Sequence, residues 1–293
     1  MVDPISFGII GGDKRQVFLA NSLLSDGVPV LACGFERLKG AAFFSGVEQR
    51  PLAETAERAG VLLLPLPATR DGKTLNAPFA QAPIRLDEAF AKALLGHRVL
   101  AGKAAALKDA CPALREIPIA DYGARESFAR QNAAITAEGA LFYALRAMDK
   151  SLCGSRCLVA GFGRVGQAVA VRLYHLFARV TVAARREESR AAAAALGCKT
   201  ISTAELFRGG AYDLVINTVP ALLFPRAVLK TFPKTCIFLD LSSAPGGIDL
   251  AAAESLHLHA EQAFSLPGKT APRAAAESIK QSVYSILKGC EES

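Results

Sequence analysis

The spacing that most directly implies chemistry is Gly161-Phe-Gly163-Arg164-Val165-Gly166. It follows the β-type apolar run Arg156-Cys-Leu-Val-Ala160 and opens a helical pattern carried by Ala168, Val169, Val171, Leu173 and Leu176. As a bare pattern three such glycines mean little, but between a strand and a helix they match the dinucleotide-binding turn. Gly161 permits the tight turn, Gly163 lets a pyrophosphate approach the backbone, and Gly166 lets helix and strand pack closely. Amides of Arg164, Val165 and Gly166 then meet the phosphates at the positive end of the helix. The alternative is a glycine turn that holds no nucleotide.

The choice between nicotinamide cofactors is read at the end of the next strand, 19 positions after Gly166, where Arg185 and Arg186 stand. Enzymes that use NAD place an Asp or Glu there for the ribose 2′-hydroxyl. A carboxylate repels a 2′-phosphate, whereas a guanidinium forms charge-assisted bonds to it, so the residues favour NADP over NAD. For Arg186 the alternative is a solvated helix-start residue. Two later strand ends, Asn217-Thr218-Val219-Pro220 and Asp240-Leu-Ser242-Ser-Ala-Pro245-Gly246-Gly247, are expected beside the diphosphate or the nicotinamide ribose. Their position, rather than their residue types, makes them candidates.

The elements that must carry these residues alternate strand and helix. A first opening, Ile5-Ser-Phe-Gly-Ile-Ile10 before Gly11-Gly12-Asp13-Lys14-Arg15-Gln16, leads into strand-like runs at 28–33, 61–64, 98–101 and 114–118. The second opening leads into runs at 180–184, 214–217, 237–241 and, more weakly, 256–259. Such alternation predicts an α/β protein of two Rossmann-like doubly wound parallel-sheet domains flanking a cleft. The expected boundaries are 1–125, completed by a C-terminal helix in 271–293, and 126–270 led by one long spine helix over 126–150. Phe128, Ala134, Ile135, Leu141, Phe142, Leu145 and Met148 form the apolar side expected of that helix. Pro65 to Pro83, with Thr69, Arg70, Asp71 and Lys73, reads as a functional loop after a strand end.

Length and composition narrow the classes. A chain of 293 residues, 51% apolar and 21% charged, forms a real core and suits two domains. No run nears the roughly 18 apolar residues that cross a bilayer, and the start lacks a basic region before an apolar stretch; the expectation is a cytoplasmic protein with no membrane partner. Seven scattered cysteines suit reduced thiols, and their spacing offers no metal site. The net charge of +7 is spread without a basic run, which points to a small anionic ligand rather than nucleic acid.

Taken in order, these motifs resemble one family, the A subunit of dipicolinate synthase from spore-forming bacteria. The resemblance rests on Gly11-Gly-Asp13-x-Arg15-Gln16, Thr136-x-Glu138-Gly139, Gly161-x-Gly-Arg164-x-Gly166, Asn217-Thr-x-Pro220, Asp240-Leu-x-Ser-x-Pro245-Gly-Gly247 and Leu266-Pro-Gly268-x-x-Ala271-Pro272. It implies a dehydrogenase subunit that oxidises dihydrodipicolinate, or its hydroxylated tetrahydro precursor, to pyridine-2,6-dicarboxylate with NADP. It also implies a partner, a flavoprotein-like B subunit, and a place in the mother-cell cytoplasm. The chain departs from the family pattern at Lys269 and in its Arg70-Asp71-Gly72-Lys73 loop.

A dicarboxylate substrate calls for cationic or amide donors. Arg15 fits as an anion clamp because it sits just past the first strand at a helix N-terminus; the alternative is that Asp13 and Arg15 cap the helix and pair with each other. Asp13, Thr69, Arg125 and Lys269 complete the expected substrate contacts, with Lys14 and Arg70 as further cations. Glu138 and Thr136 are the candidate catalytic pair, Glu138 as a base, against a structural role at the hinge. None of the four histidines is presented to the cleft, and His257 and His259 are expected on one face of a short strand. A homo-oligomer is expected by analogy with two-domain dehydrogenases. The competing readings are another NADP-dependent dehydrogenase, of hydroxyacid or methylene-tetrahydrofolate type, and a non-catalytic nucleotide-binding regulatory subunit.

Overall fold

The computed structural model describes residues 6–38 and 46–289. The Ile5 start of the first expected strand, Cys290 and the last residues of 271–293 lie outside them. The chain divides into two compact units, one running to Gln131 and resuming at Ala271, the other Asn132–Thr270.

The first unit runs through β1 (Phe7–Ile10), α1 (Lys14–Ser25), β2 (Val30–Cys33), β3 (Glu48–Gln49), α2 (Leu52–Arg58), β4 (Val61–Leu63), α3 (Glu88–Leu94), β5 (Arg98–Ala101), α4 (Ala104–Ala110), β6 (Ile119–Asp121) and the start of α5 (Glu126–Ala147). All its strand pairs are parallel, in the order β3-β2-β1-β4-β5-β6. The second unit takes the rest of α5, then β7 (Arg156–Ala160), α6 (Arg164–His175), β8 (Arg179–Ala183), α7 (Glu187–Ala195), β9 (Lys199–Ile201), β10 (Leu214–Asn217), α8 (Arg226–Leu229), β11 (Ile237–Asp240), α9 (Leu250–Ser255), β12 (His259–Gln262) and α10 (Leu266–Thr270). Its sheet is parallel too, ordered β12-β11-β10-β7-β8-β9. Both are doubly wound α/β sheets. Strand order reverses between β1 and β4 in one and between β7 and β10 in the other, which opens a crevice at the strand C-termini.

Central strands such as Phe7–Ile10 and Leu214–Asn217 are buried at every position, because helices cover both faces of a parallel sheet. The last helix, α11 (Pro272–Leu287), belongs to the first unit. Ile279 and Val283 enter the cluster of Phe7, Val17, Leu23 and Tyr122, and Ser282 Oγ donates to the Tyr122 carbonyl at 2.8 Å. At its outer end Lys280 Nζ lies 3.1 Å from Asp26, to which Tyr284 Oη donates at 2.9 Å.

Several elements differ from the sequence expectation. The run 114–118 is not a strand: Pro112–Leu114 is a short 3-10 helix and β6 begins only after Pro118, which lacks an N–H for the ladder. The run 256–259 shifts likewise. His257 occupies a left-handed turn (φ 53°) after α9, and His259 opens β12, so the two histidines do not share a strand. The spine helix stops at Ala147, and its buried side is the expected one only in part: Phe128, Ile135 and Met148 are buried. Ala137, Ala140, Ala144 and Met148 enter the second unit's core, whereas Phe142 and Leu145 are more than half exposed. Small residues at helical spacing let neighbouring elements approach the α5 backbone closely. At Gly139 an added Cβ would stand 2.9 Å from Leu266 Cβ in α10.

Candidate functional site

The turn from β7 to α6 performs three separate steric tasks. Gly161 has φ +95°, and a Cβ there would come within 2.4 Å of Thr218 Oγ1, so the position admits only glycine. A Cβ at Gly166 would stand 2.3 Å from the Gly161 carbonyl oxygen, which shows how closely helix and turn approach. Gly163 differs: its φ of −78° is ordinary, and a Cβ there meets no atom within 4 Å. Gly163 is also the N-cap of α6 and makes no side-chain cap. The outer side of the turn is therefore bare backbone leading into uncapped helix amides, the surface a pyrophosphate needs. The residues present fit a dinucleotide.

The matching turn of the first unit, after β1, is filled from within. Asp13 caps α1, accepting from Arg15 N at 3.0 Å, while Gln16 Oε1 accepts from Asp13 N at 3.1 Å to close a capping box. Arg15 folds back onto the same carboxylate, with Nε at 2.9 Å and Nη2 at 2.8 Å, and Nη2 also donates to the Leu66 carbonyl. Arg15 is 4% exposed. Burial raises the Asp13 pKa, but the hydrogen bonds and charge of Arg15 outweigh it and hold the carboxyl below its ordinary value. At this helix end the protein's own carboxylate takes the position that an external anion would need.

Arg185 and Arg186 follow β8 and are both exposed; among the described residues neither guanidinium has an intrachain partner. The loop that carries them is held from below by Arg190, whose Nη1 donates to the carbonyls of Ala184 at 2.9 Å and Arg185 at 2.8 Å. Sequence reasoning missed Arg190, whose place one helical turn beyond Arg186 was the available signal.

The strand ends of β10 and β11 are organised by Asp240, which the sequence placed at a strand end beside the cofactor without a role of its own. Asp240 is fully buried, and its carboxylate accepts from Asn217 Nδ2 (2.9 Å), Ser242 N (3.0 Å), Ser242 Oγ (2.6 Å), Gly247 N (2.7 Å) and Ile248 N (3.2 Å). Asn217 and Ser242 are thus buried in this network. Thr218 donates to the Ala160 carbonyl at 2.8 Å beneath the glycine turn. Pro220 and Pro245 are exposed and Gly246 is buried with φ +94°. Gly247 lets the two loops nest, since a Cβ there would stand 2.3 Å from Asn217 Nδ2. An apolar strand ending in Asp was the signal for Asp240, because a buried carboxylate requires partners.

The remaining candidates are scattered through both units. Glu138 is exposed on α5 and forms an ion pair with Arg172 at 3.0 Å; Thr136 Oγ1 donates to the Asn132 carbonyl one turn back. Lys269 Nζ lies 6.0 Å from the Tyr143 ring centre, and Arg125 is half-buried just before α5. Thr69 donates to the Thr74 carbonyl at 2.7 Å and accepts from Gly72 N at 3.1 Å, so it shapes the 65–83 loop. Asp71 braces the same loop: the amides of Thr74 and Lys73 hold its carboxyl far below the usual range. Beside it the first unit has a cavity of about 520 Å³, lined in part by Arg37, Arg70, Thr74, Asn76 and Gln81. Among the described residues no group of side chains could hold a metal ion, and no helix is long and apolar enough to cross a membrane.

Comparison with known proteins gives each unit a relative. Residues 6–122 match the family described as the N-terminal domain of the dipicolinate synthase A subunit, and residues 127–242 match the D-isomer specific 2-hydroxyacid dehydrogenase, NAD binding domain. Over 290 residues the chain is 27% identical to the dipicolinate synthase A subunit of Bacillus subtilis, covering 98% of this chain and 97% of that one. The solved structure of the A subunit from Bacillus halodurans is similar with TM-score 0.83, at 27% identity and full coverage of both chains. The solved Bacillus subtilis protein gives 0.82 at 26% identity, covering 99% and 97%. A transhydrogenase from Sinorhizobium meliloti, at 16% identity and TM-score 0.67 over 97% and 94%, shares the fold alone.

Proposed function

We propose that this chain, which belongs to the family of dipicolinate synthase A subunits, is the dehydrogenase subunit of a dipicolinate synthase and uses NADP to make pyridine-2,6-dicarboxylate. The observation that carries the reading is the contrast between two like-ordered sheets. The α6 terminus is bare and uncapped at Gly163, while the α1 terminus is closed by Asp13 and Arg15. A dinucleotide therefore has one turn to bind, in the second unit. The guanidiniums of Arg185 and Arg186, unpartnered among the described residues, favour the 2′-phosphorylated form, since each can form charge-assisted bonds to phosphate.

A bound NADP would supply the hydride acceptor for oxidation of the dihydropyridine ring to the aromatic one, the second hydrogen leaving as a proton. The chain's residues bind and orient. Gly161, Gly163 and the amides of Arg164, Val165 and Gly166 hold the pyrophosphate, and the Asp240 network keeps the 217–221 and 241–248 loops in place. Glu138 is assigned the ring proton, with Arg172 fixing its carboxylate and Thr136 on the same helix. Buried Arg15 is committed to Asp13 and the Leu66 carbonyl, which leaves it with a structural role rather than a substrate contact. Lys269, in the same unit as the glycine turn and Glu138, is assigned as a carboxylate contact. The family relationship supports a B-subunit partner and a mother-cell cytoplasmic setting.

The test generates dihydrodipicolinate in situ and supplies NADP or NAD, with and without a B subunit, following both reduced cofactor and pyridine dicarboxylate. The expected result is product formed with NADP, and a tenfold or larger loss of NADP affinity in an Arg185→Ala/Arg186→Ala double variant that leaves NAD affinity unchanged. No product under any condition from folded protein removes the reading; nucleotide binding without turnover favours the regulatory alternative.

A further inference from the structure

The strand ends of the second sheet that lie away from the glycine turn gather cations. The first residues of β7, β8 and β9 are Arg156, Arg179 and Lys199. Arg156 is the register neighbour of Arg179, and Lys199 that of Thr181, two residues along β8 from Arg179. Register neighbours and alternate residues of a strand share a sheet face, so the four side chains leave the sheet on one side, and all four line a cavity of about 460 Å³. Arg156 and Arg179 stand on paired strands about 5 Å apart, and the Cα atoms of Arg179 and Lys199 are about 8 Å apart. Arginine and lysine stems span such gaps, so the three cations can meet above Thr181.

Two observations mark this spot as a ligand position. The first is charge without compensation. Among the described residues Arg179 and Lys199 have no hydrogen-bond or ion-pair partner. The nearby carboxylate of Asp213 lies outside the cavity lining and is taken up by Lys150 Nζ at 2.6 Å and Arg156 N at 2.7 Å, with Arg156 Nε at 3.9 Å. Like charges directly opposite one another on neighbouring strands are unfavourable, and an anion between them removes the repulsion. The second observation is independent of charge. Thr181 is only 8% exposed and lines the cavity, yet among the described residues its hydroxyl has no hydrogen-bond partner. Burying a hydroxyl without a partner is costly, so the cavity floor presents an unused donor beside the cations.

We propose that this cavity binds a compact, multi-oxygen dianion of the phosphate class, its oxygens held by Arg156, Arg179, Lys199 and the Thr181 hydroxyl. A phosphate group approaches two negative charges at neutral pH and offers oxygens in several directions. It therefore matches two partnerless cations, a third shared with Asp213, and a hydroxyl, all at once. A carboxylate has one charge and two oxygens in one plane, which leaves part of the set unused. The cavity is larger than a phosphate ion, and the part lined by Tyr174 and Tyr212 has room for a small organic group on a phosphomonoester. About 16 Å of strand separates Arg156 from Gly161, so the site is distinct from the phosphate positions of a dinucleotide at the glycine turn.

Binding is read without turnover, so failure of the dehydrogenase reading leaves this inference standing. Inorganic phosphate, glycerol phosphate and acetate are titrated into the full chain at mildly alkaline pH and constant ionic strength, followed by calorimetry and backbone amide NMR. Inorganic phosphate or glycerol phosphate should bind at least tenfold more tightly than acetate and shift the amides of Thr181 and Lys199. Tighter binding of glycerol phosphate assigns the cavity to a phosphorylated metabolite, and tighter binding of inorganic phosphate to the free ion. Arg179→Gln, Lys199→Gln and Thr181→Val should each weaken binding at least fivefold. None of the three breaks an intrachain hydrogen bond or ion pair of the side chain, so each should fold as the parent does. The Arg185→Ala/Arg186→Ala variant should keep the Thr181 and Lys199 shifts, which separates this site from nucleotide binding. No binding, a preference below tenfold, shifts confined to the 161–166 turn or the 185–186 loop, or a loss below fivefold in any of the three single variants overturns the proposal.

Discussion

Asn217 and Asp240 end neighbouring parallel strands at the same register level, and the Asn217 side-chain amide donates to the Asp240 carboxylate at 2.9 Å with neither residue exposed. The pair joins two loops to two strands. Truncation of the carboxylate leaves several buried donors without an acceptor, the situation in which lost hydrogen bonds are most costly. Asp240→Ala should lower stability by about 3–5 kcal/mol and Asn217→Ala by about 1–3 kcal/mol, measured by urea unfolding. A loss below about 1 kcal/mol for Asp240→Ala would contradict the network's role.

Two glycines of the β7–α6 turn, Gly163 and Gly166, should separate binding from folding. Gly163→Ala adds a methyl to open space at an ordinary φ, so its stability cost is only that of Ala for Gly at an N-cap, about 1 kcal/mol or less, while NADP affinity falls at least tenfold. Gly166→Ala drives a Cβ toward the Gly161 carbonyl and should cost both. Parallel thermal melts and nucleotide titrations decide this, and equal effects of the two changes would sink the assignment.

A C-terminal residue should behave as part of the N-terminal core. Ile279 is 1% exposed and sits among Phe7, Val17 and Leu23. Ile279→Ala should destabilise by about 2–5 kcal/mol. Hydrogen exchange should report the loss in β1 and α1 while β7 and β10 keep their protection.

Acid should loosen the α1 terminus in a defined sense. The Asp13 pKa lies below its ordinary 3.8 in the folded chain, so the stability the group contributes is complete above that value and disappears as pH falls through the lower native one. The stability difference between the parent and Asp13→Asn should be flat above about pH 5 and shrink below about pH 4. A difference that grows on acidification would refute the pairing with Arg15.

Local signals carried much of this protein. A β-type run, a glycine and a helical period occur twice within a few residues each, and they are enough to identify two doubly wound sheets and the turn at Gly161–Gly166, because strand, turn and helix propensities act over short stretches. The arginines at 185 and 186 were readable for the same reason, by counting along one βαβ unit. Boundaries near Pro118 and His257 were not, since a single missing N–H or one left-handed residue shifts where a ladder begins.

Tertiary structure decided which glycine turn is free. Arg15 is committed to Asp13 beside it and to the carbonyl of Leu66, 51 positions away, a contact made only once β1 and β4 pair. The burial of Asn217 and Ser242 behind Asp240, and of alanines rather than Phe142 and Leu145 on α5, depends likewise on neighbours far along the chain. The order of residues determines what each short segment prefers to be; whether a charged or polar group faces a ligand or another part of the protein is settled by partners that only folding brings within hydrogen-bond range.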